Sequence, residues 1–124
     1  MSDNLAAKLL LNTENAEVET FDWGQLTWYA SRTIGNSEEM TLGKCVIKPG
    51  CENPRHYHPN CEEALQVISG QLEHTLGDEV FEMGPGDTIV IPANLIHNAR
   101  NIGDEEAVMT IVFSTAHRET VGEF

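Results

Sequence analysis

Residues 50–70 read GCENPRHYHPNCEEALQVISG and hold two histidines and a glutamate in a short stretch. One residue separates His56 from His58, so on an extended strand both side chains point to the same face. The turn-prone segment Pro59-Asn60-Cys61-Glu62 lets the chain reverse and bring Glu63 back beside them. A fourth donor, His97, must arrive from a second hairpin. This spacing predicts a site for one metal ion.

The predicted ligand set has a definite chemical character. The ligands are His56, His58, Glu63 and His97. Three neutral imidazoles and one carboxylate suit a divalent transition metal ion (iron, manganese, nickel, cobalt, copper or zinc) and make a poor calcium site. Any one of these histidines alone would be read equally well as a core or surface residue. The complete set favours metal binding, with the identity of the metal left open.

The residues around these donors resemble a known family. The fixed positions of the first cupin motif are matched by Gly50, His56, His58, Glu63 and Gly70. The second cupin motif is matched by Gly86, Pro92, His97 and Asn101. One position departs from the motif: Asn94 stands where the family usually has glycine, a mild change because asparagine also tolerates a left-handed backbone. The resemblance implies a double-stranded β-helix, or jelly-roll barrel, with a metal pocket in the barrel mouth.

The pattern along the rest of the chain also predicts an all-β fold. Short β-rich runs alternate with turn signals such as Pro49-Gly50 and Ser69-Gly70. The candidate strands are Leu26 to Ala30, Thr41 to Lys48, Ala64 to Ile68, Gln71 to Leu76, Thr88 to Ile91 and Val108 to Phe113. We expect one domain over residues 1–124, with an N-terminal arm at about 1–20 and a short polar C-terminal tail at about 117–124.

Composition restricts the partners. The chain has 20 acidic and 7 basic residues and a formal net charge of −13, which repels nucleic acid and anionic lipid. Its first residues lack the basic segment of a signal peptide, and its longest leucine run is too short to span a bilayer. Three cysteines form no paired framework and are read as reduced thiols. We therefore expect a cytoplasmic protein without nucleic-acid or membrane partners.

His74 is the candidate catalytic residue. It shares strand parity with Leu72 and Leu76, which would turn it into the barrel near the metal, where it could move protons. The alternative is a hydrogen-bonded barrel histidine without a catalytic role. Trp23, Trp28 and Phe113 are interpreted as core or subunit contacts rather than as a stacking surface.

Two classes of function remain open. The first is a small metalloenzyme acting on an oxygen-rich organic molecule, either a dioxygenase or a non-redox isomerase or lyase of the sugar-acid type. The second is a non-enzymatic module that binds or senses a small molecule. Small cupins are often dimers, and Leu5, Leu9, Leu10 and Leu11 offer an apolar arm, so we expect a homodimer.

Overall fold

The computed structural model describes residues 5–122, which fold into two antiparallel β-sheets that face each other as a jelly roll. The strands are β1 (Glu17–Phe21), β2 (Gly24–Ala30), β3 (Thr41–Ile47), β4 (His56–Tyr57), β5 (Glu63–Ser69), β6 (Leu72–Leu76), β7 (Glu79–Met83), β8 (Thr88–Ile91), β9 (His97–Asn101), β10 (Ala107–Phe113) and β11 (Val121–Gly122). A helix α1 (Leu5–Leu9) and a 3-10 turn (Thr13–Asn15) precede them. The predicted all-β jelly-roll fold is confirmed.

The larger sheet has the order β1-β2-β3-β10-β5-β8 and supplies much of the core. Buried and accessible residues alternate regularly along β3 and β10, as expected for strands with one face turned inward. Cys45, Ile47, Met109 and Ile111 lie on that inner face and are buried. The six predicted strands correspond to β2, β3, β5, β6, β8 and β10, with ends that differ by no more than about two residues.

The smaller sheet has the order β11-β4-β9-β6-β7 and carries most of the histidines. His56 of β4 pairs directly with His97 of β9, and His97 in turn pairs with Leu76 of β6. His74 lies two residues before Leu76 and therefore shares its face. Three histidines from three neighbouring strands thus point into the space between the sheets.

A tight turn delivers His97 to this sheet. Asn94 has φ of 71°, in the left-handed region, and its backbone N–H donates to the carbonyl of His58 at 3.0 Å. The expectation that asparagine replaces glycine in a left-handed position is confirmed. The turn ties the strand that follows it to the segment that carries His58.

Both ends of the chain are more structured than the sequence suggested. The expected arm at about 1–20 contains most of β1, which pairs with β2 along its whole length, while residues 1–4 lie outside the described residues. The expected tail at about 117–124, described as far as Gly122, includes β11, which pairs with β4. β1 has three polar residues among five, and β11 has only two residues, so neither strand gives a clear hydrophobic period. Among residues 5–122 no helix combines the length and the apolar character that crossing a membrane requires.

Candidate metal centre

The four predicted ligands come together at one place between the sheets. One ligand atom from each of His56, His58, Glu63 and His97 lies within 4.8 Å of the corresponding atoms of the other three. Donor atoms about 2.1 Å from a common ion are separated by about 3 to 4 Å. His58, Glu63 and His97 are buried, and His56 is partly buried. The cluster is therefore compact enough for a single divalent metal ion.

The backbone orients all three imidazoles in the same way. Nδ1 of His56 lies 2.7 Å from the carbonyl oxygen of Pro54, and Nδ1 of His97 lies 2.9 Å from that of Leu95. Nδ1 of His58 lies 2.9 Å from the carbonyl oxygen of Glu119. A carbonyl only accepts, so each Nδ1 carries the proton, and in the neutral ring each Nε2 presents a lone pair. This arrangement is typical of metal-binding histidines.

The Nε2 lone pairs of His58 and His97 face the Glu63 carboxylate, an arrangement that favours a positive charge between the nitrogens and the carboxylate oxygen. Nε2 of His97 lies 3.2 Å from Oε1 of Glu63, and Nε2 of His58 lies 3.4 Å from the same oxygen. His58 Nε2 is buried and has no hydrogen-bond partner among the described residues. Two acceptors facing each other in a buried site are unfavourable unless a proton or a metal ion lies between them. The donor set and this orphaned nitrogen both fit a bound transition metal.

Electrostatics keeps the ligands in their metal-binding forms. Burial alone would raise the pKa of Glu63, but hydrogen bonds from the His58 and His97 rings, and the positive charge these rings carry when protonated, outweigh it and lower that pKa to about 2. A bound metal ion would supply positive charge at the same place. Burial, reinforced by the neighbouring His97, lowers the pKa of His56 to about 4. At neutral pH Glu63 is therefore ionised and His56 is neutral, the states in which each binds a metal.

His74 lies beside the cluster, as its strand parity predicted. Its ring is parallel to that of His97, with an interplanar angle of 6° and 6.2 Å between centroids, and it stacks on Phe81 at 5.6 Å. Only 1% of the residue is exposed, and neither ring nitrogen has a hydrogen-bond partner among residues 5–122. Burial and the neighbouring His97 lower the pKa of His74 to about 4, so the ring is neutral rather than titrating near pH 7. Whether it is catalytic remains a prediction.

The ligands open onto a cavity of about 340 Å³ between the two sheets. Its wall is mostly apolar and strongly aromatic, and includes Phe21, Trp23, Trp28 and Phe113. The interpretation of the tryptophans and Phe113 as core or subunit contacts was therefore incomplete, because they also form the surface of this cavity. Phe113 contacts the metal site directly, with its ring edge-on to His58 at 5.0 Å between centroids.

Sequence reasoning missed Arg118, which lies in the segment predicted as a tail. Its guanidinium carbon lies 4.2 Å from the ring centroid of Trp28 and 5.3 Å from that of Phe113, and the residue lines the cavity. An isolated arginine near a chain end carries no local signal of a pocket role. Long-range contacts, including the pairing of β11 with β4, bring it there.

A jelly roll in which three histidines and one glutamate line a cavity between the sheets defines the class of metal-binding β-barrel proteins. The family model described as Cupin domain matches residues 43–113. The chain belongs to the cupin family, as its two motifs indicated.

Curated relatives differ in their named functions. The chain is 38% identical over 82 residues to "Polyketide synthase CurC" of Streptomyces cyaneus, a match covering 66% of this chain and 53% of that protein. It is 29% identical over 96 residues to oxalate oxidase 1 of Hordeum vulgare, covering 71% of this chain and 46% of that protein. The chain thus spans about half the length of these relatives.

Solved structures share the fold over most of the chain. Oxalate decarboxylase of Lactobacillus farciminis, in a complex with formate, superimposes with a TM-score of 0.85 at 21% identity, covering 91% of this chain and 35% of that one. Oxalate decarboxylase of Bacillus subtilis, described with Mn(II) centers, gives 0.82 at 25% identity, covering 90% of this chain and 31% of that one. The cupin fold of this chain is therefore shown by structure as well as by sequence.

Proposed function

We propose that this protein is a mononuclear metal-dependent enzyme acting on a small oxygen-rich organic molecule, either as a dioxygenase or as a non-redox isomerase or lyase. The observation that carries the proposal is the convergence of three imidazoles and the Glu63 carboxylate on the wall of a mostly apolar cavity. A cluster built only for stability would not need to open onto a cavity large enough for a ligand.

The residues of the site have separable roles in this proposal. A bound divalent ion would supply Lewis-acid chemistry or the activation of a bound oxygen species. His56, His58 and His97 would hold it through Nε2, and Glu63 would offset part of its charge. His74, buried and neutral with both nitrogens unpaired, would hydrogen-bond an oxygen of the substrate. The apolar wall would exclude bulk water and so strengthen these interactions.

The substrate is expected to be larger than oxalate. Oxalate is named in several relatives and structural neighbours, and Mn(II) in one of them. A two-carbon acid would fill little of a cavity of about 340 Å³, which lies in the range of sites for larger organic ligands. We therefore propose that this chain retains metal chelation by substrate oxygens, as simple diacids allow, but accepts a larger and partly apolar body.

Elemental analysis of the purified protein, combined with an oxygen electrode, tests this proposal. One equivalent of iron with O₂ consumption on addition of catechols or hydroxy acids would support a dioxygenase. Manganese, nickel, cobalt or zinc with substrate turnover but without O₂ uptake would support the non-redox branch. His97→Ala serves as the metal-free control. Metal-dependent ligand binding without any turnover would favour the non-enzymatic binding module instead.

We also propose a homodimer. Leu42, Val112, Ala64 and Val90 form a continuous row across β3, β10, β5 and β8 on the outer face of the larger sheet. Val90 is 57% exposed, and the leucines of α1 are also exposed. A second copy would cover this apolar row.

Light scattering at micromolar concentration tests the dimer. The expected mass is twice that of the chain, and Val90→Glu is expected to halve it. Val80→Glu is a matched control, since Val80 is 58% exposed but lies on β7 of the smaller sheet. A monomeric mass for the parent protein would contradict the dimer.

A cytoplasmic location is proposed as well. Cys45, Cys51 and Cys61 are all free thiols, and two of them are buried. Reduced cysteines are typical of a reducing compartment. Fractionation of the source cells with an antibody against the protein would check this location.

A further inference from the structure

The segment 117–122, which we call the strap, closes one side of the cavity. The carbonyl of Glu119 accepts from Nδ1 of His58, and its backbone N–H donates to Oδ1 of Asn60 at 2.9 Å. Nδ2 of Asn60 also donates to the carbonyl of His117 at 3.1 Å, and β11 follows on the other side. The strap is thus anchored on both sides of Arg118.

The Arg118 side chain is fixed in one position against the cavity wall. Its guanidinium lies over Trp28 and Phe113, and Nη1 donates to Oγ1 of Thr120 at 3.1 Å. Stacking on aromatic faces orders a guanidinium while leaving its edge free to donate hydrogen bonds. Among the described residues that line the cavity, Arg118 is the only basic residue of the lysine or arginine type.

The described residues give the Arg118 guanidinium no close ion pair, although the charges of Glu19 and Glu63 act on it from a greater distance. Glu19, a carboxylate on the same side of the cavity, instead accepts from Nε1 of Trp28 at 2.7 Å. Burial lowers the pKa of Arg118, and the nearby negative charges of Glu19 and Glu63 oppose this only in part. In a chain of net charge −13 an arginine could readily have been paired.

The position of Arg118 relative to the metal site limits the ligand. The Phe113 ring contacts His58 on one hand and the Arg118 guanidinium on the other. The His58 and Phe113 ring centroids are 5.0 Å apart, and the Arg118 guanidinium carbon lies 5.3 Å from the Phe113 centroid. A flat molecule about the length of a fused bicyclic ring system, lying along this aromatic wall, would therefore reach from the metal ligands to the guanidinium. Its middle part would contact Trp28 and other apolar residues, which favour an aromatic or conjugated body.

We propose that Arg118 is a specificity residue that binds the carboxylate or phenolate of a flat aromatic substrate whose other end chelates the metal. The inference rests on the proposed function, because it assumes that the opposite end of the ligand meets the metal. It goes further in naming the substrate class and the residue that selects it. Charge-assisted, two-pronged pairing of a guanidinium with a carboxylate supplies the discrimination.

A matched pair of probes separates this role from a purely structural one. A dihydroxynaphthoate with its catechol on one ring and its carboxylate on the other carries both proposed features. The corresponding dihydroxynaphthamide keeps the catechol and the shape but lacks the charge. Binding is measured by titration calorimetry and by quenching of tryptophan fluorescence, with metal-loaded and metal-free protein.

The parent protein is expected to bind the carboxylate about tenfold or more tightly than the amide. Arg118→Gln is expected to abolish that preference while affinity for the amide changes little, and Arg118→Lys is expected to keep part of it. Arg100→Gln is the control, because Arg100 pairs with Glu73 at the surface. If Arg118→Gln does not fold, raised salt applied to the parent protein must still reduce the preference.

The outcomes for Arg118 and for the metal can be read separately. Equal affinity of the parent protein for both probes, an unchanged preference in Arg118→Gln, or no binding of either probe overturns the role of Arg118. If metal-loaded and metal-free protein bind each probe with the same affinity, the proposed function is contradicted. A carboxylate preference that Arg118→Gln abolishes, together with affinities that do not change on metal removal, would leave the anion site standing while the metal-dependent function fails.

Discussion

The two sheets of this molecule differ in strand length, in burial and in the functional residues they hold. The larger sheet is built from mostly long strands with regular burial, and its inner face includes Ile47 and Met109, neither of which is exposed at all. The smaller sheet has short strands, two of them of only two residues, and carries His56, His74 and His97. Most of the buried apolar core lies on the larger sheet, whereas the smaller sheet adds Leu72, Met83 and Ala99 to that core and holds three of the histidines near the site. Stability and metal binding should therefore be separable by mutation.

The largest expected effect concerns metal binding and should leave the fold intact. Replacing His97 with alanine removes one of four ligands, and we expect metal affinity to fall by more than about 100-fold, beyond the 10- to 100-fold typical of residues that only orient ligands. The core of the larger sheet does not include His97, so cooperative unfolding should persist. Competition with a chromogenic chelator and thermal circular dichroism measure the two quantities. A non-cooperative His97→Ala protein would contradict the separation of the two sheets.

The reverse experiment targets the larger sheet. Val67 of β5 has no exposed surface, does not line the cavity and lies four residues along the strand from Glu63, so Val67→Ala creates a void away from the site. We expect a loss of about 2 to 3 kcal/mol in the free energy of unfolding, because two buried methyl groups are removed. Under folding conditions the metal affinity should stay close to that of the parent protein. Urea titration and the chelator assay check both parts, and a large loss of affinity in the folded variant would show that the sheets are coupled.

A glycine on β3 tests how the larger sheet shapes the cavity wall. A Cβ added at Gly43 would lie 2.5 Å from Cε3 of Trp28, too close for the ring to stay in place. Gly43→Ala should therefore displace Trp28 and cost about 1 to 3 kcal/mol in stability. Tryptophan emission should shift, and aromatic probes should bind more weakly. If tryptophan emission and probe binding do not change, the Trp28 ring does not lie against Gly43.

The smallest effect is expected where the strap orients a ligand indirectly. Asn60→Ala removes both side-chain hydrogen bonds to the strap, at His117 and Glu119. Because the carbonyl of Glu119 orients His58, metal affinity should fall, but by about tenfold or less. Glu62→Ala, in the same turn but without a side-chain contact to the strap in the described structure, is the control. A loss equal to that of His97→Ala would mean that the strap is part of the ligand set.

The sequence allowed the ligands to be predicted because their spacing is local. His56 and His58 share a face by strand alternation, and Glu63 follows one turn later, so only His97 needed long-range pairing. The cavity wall was not predictable in the same way. Trp28 and Phe113 meet only because β2, β3 and β10 are neighbours in the sheet. From sequence alone, an apolar residue in a strand is predicted to be a core residue whether or not a cavity lies beside it. Arg118 was missed because its role depends on where the chain end returns.

The pairing of short strands explains the remaining differences. Val121–Gly122 and His56–Tyr57 are each too short to show a period of two, and they form a strand only by pairing with each other and with β9. β1 is exposed along its length and carries three polar residues, so it reads as an arm although it completes the larger sheet. Tertiary pairing, rather than local propensity, decides such segments.

The central claim is that one divalent metal ion is bound by Nε2 of His56, His58 and His97 and by the carboxylate of Glu63. A crystal structure of the metal-loaded protein, with anomalous data collected at the absorption edge of the metal found by elemental analysis, tests it most directly. The account predicts one strong anomalous peak about 2.1 Å from these four atoms, with each Nδ1 still donating to its backbone carbonyl. A peak elsewhere, ligation through Nδ1, or an empty cluster in the presence of excess metal would contradict it.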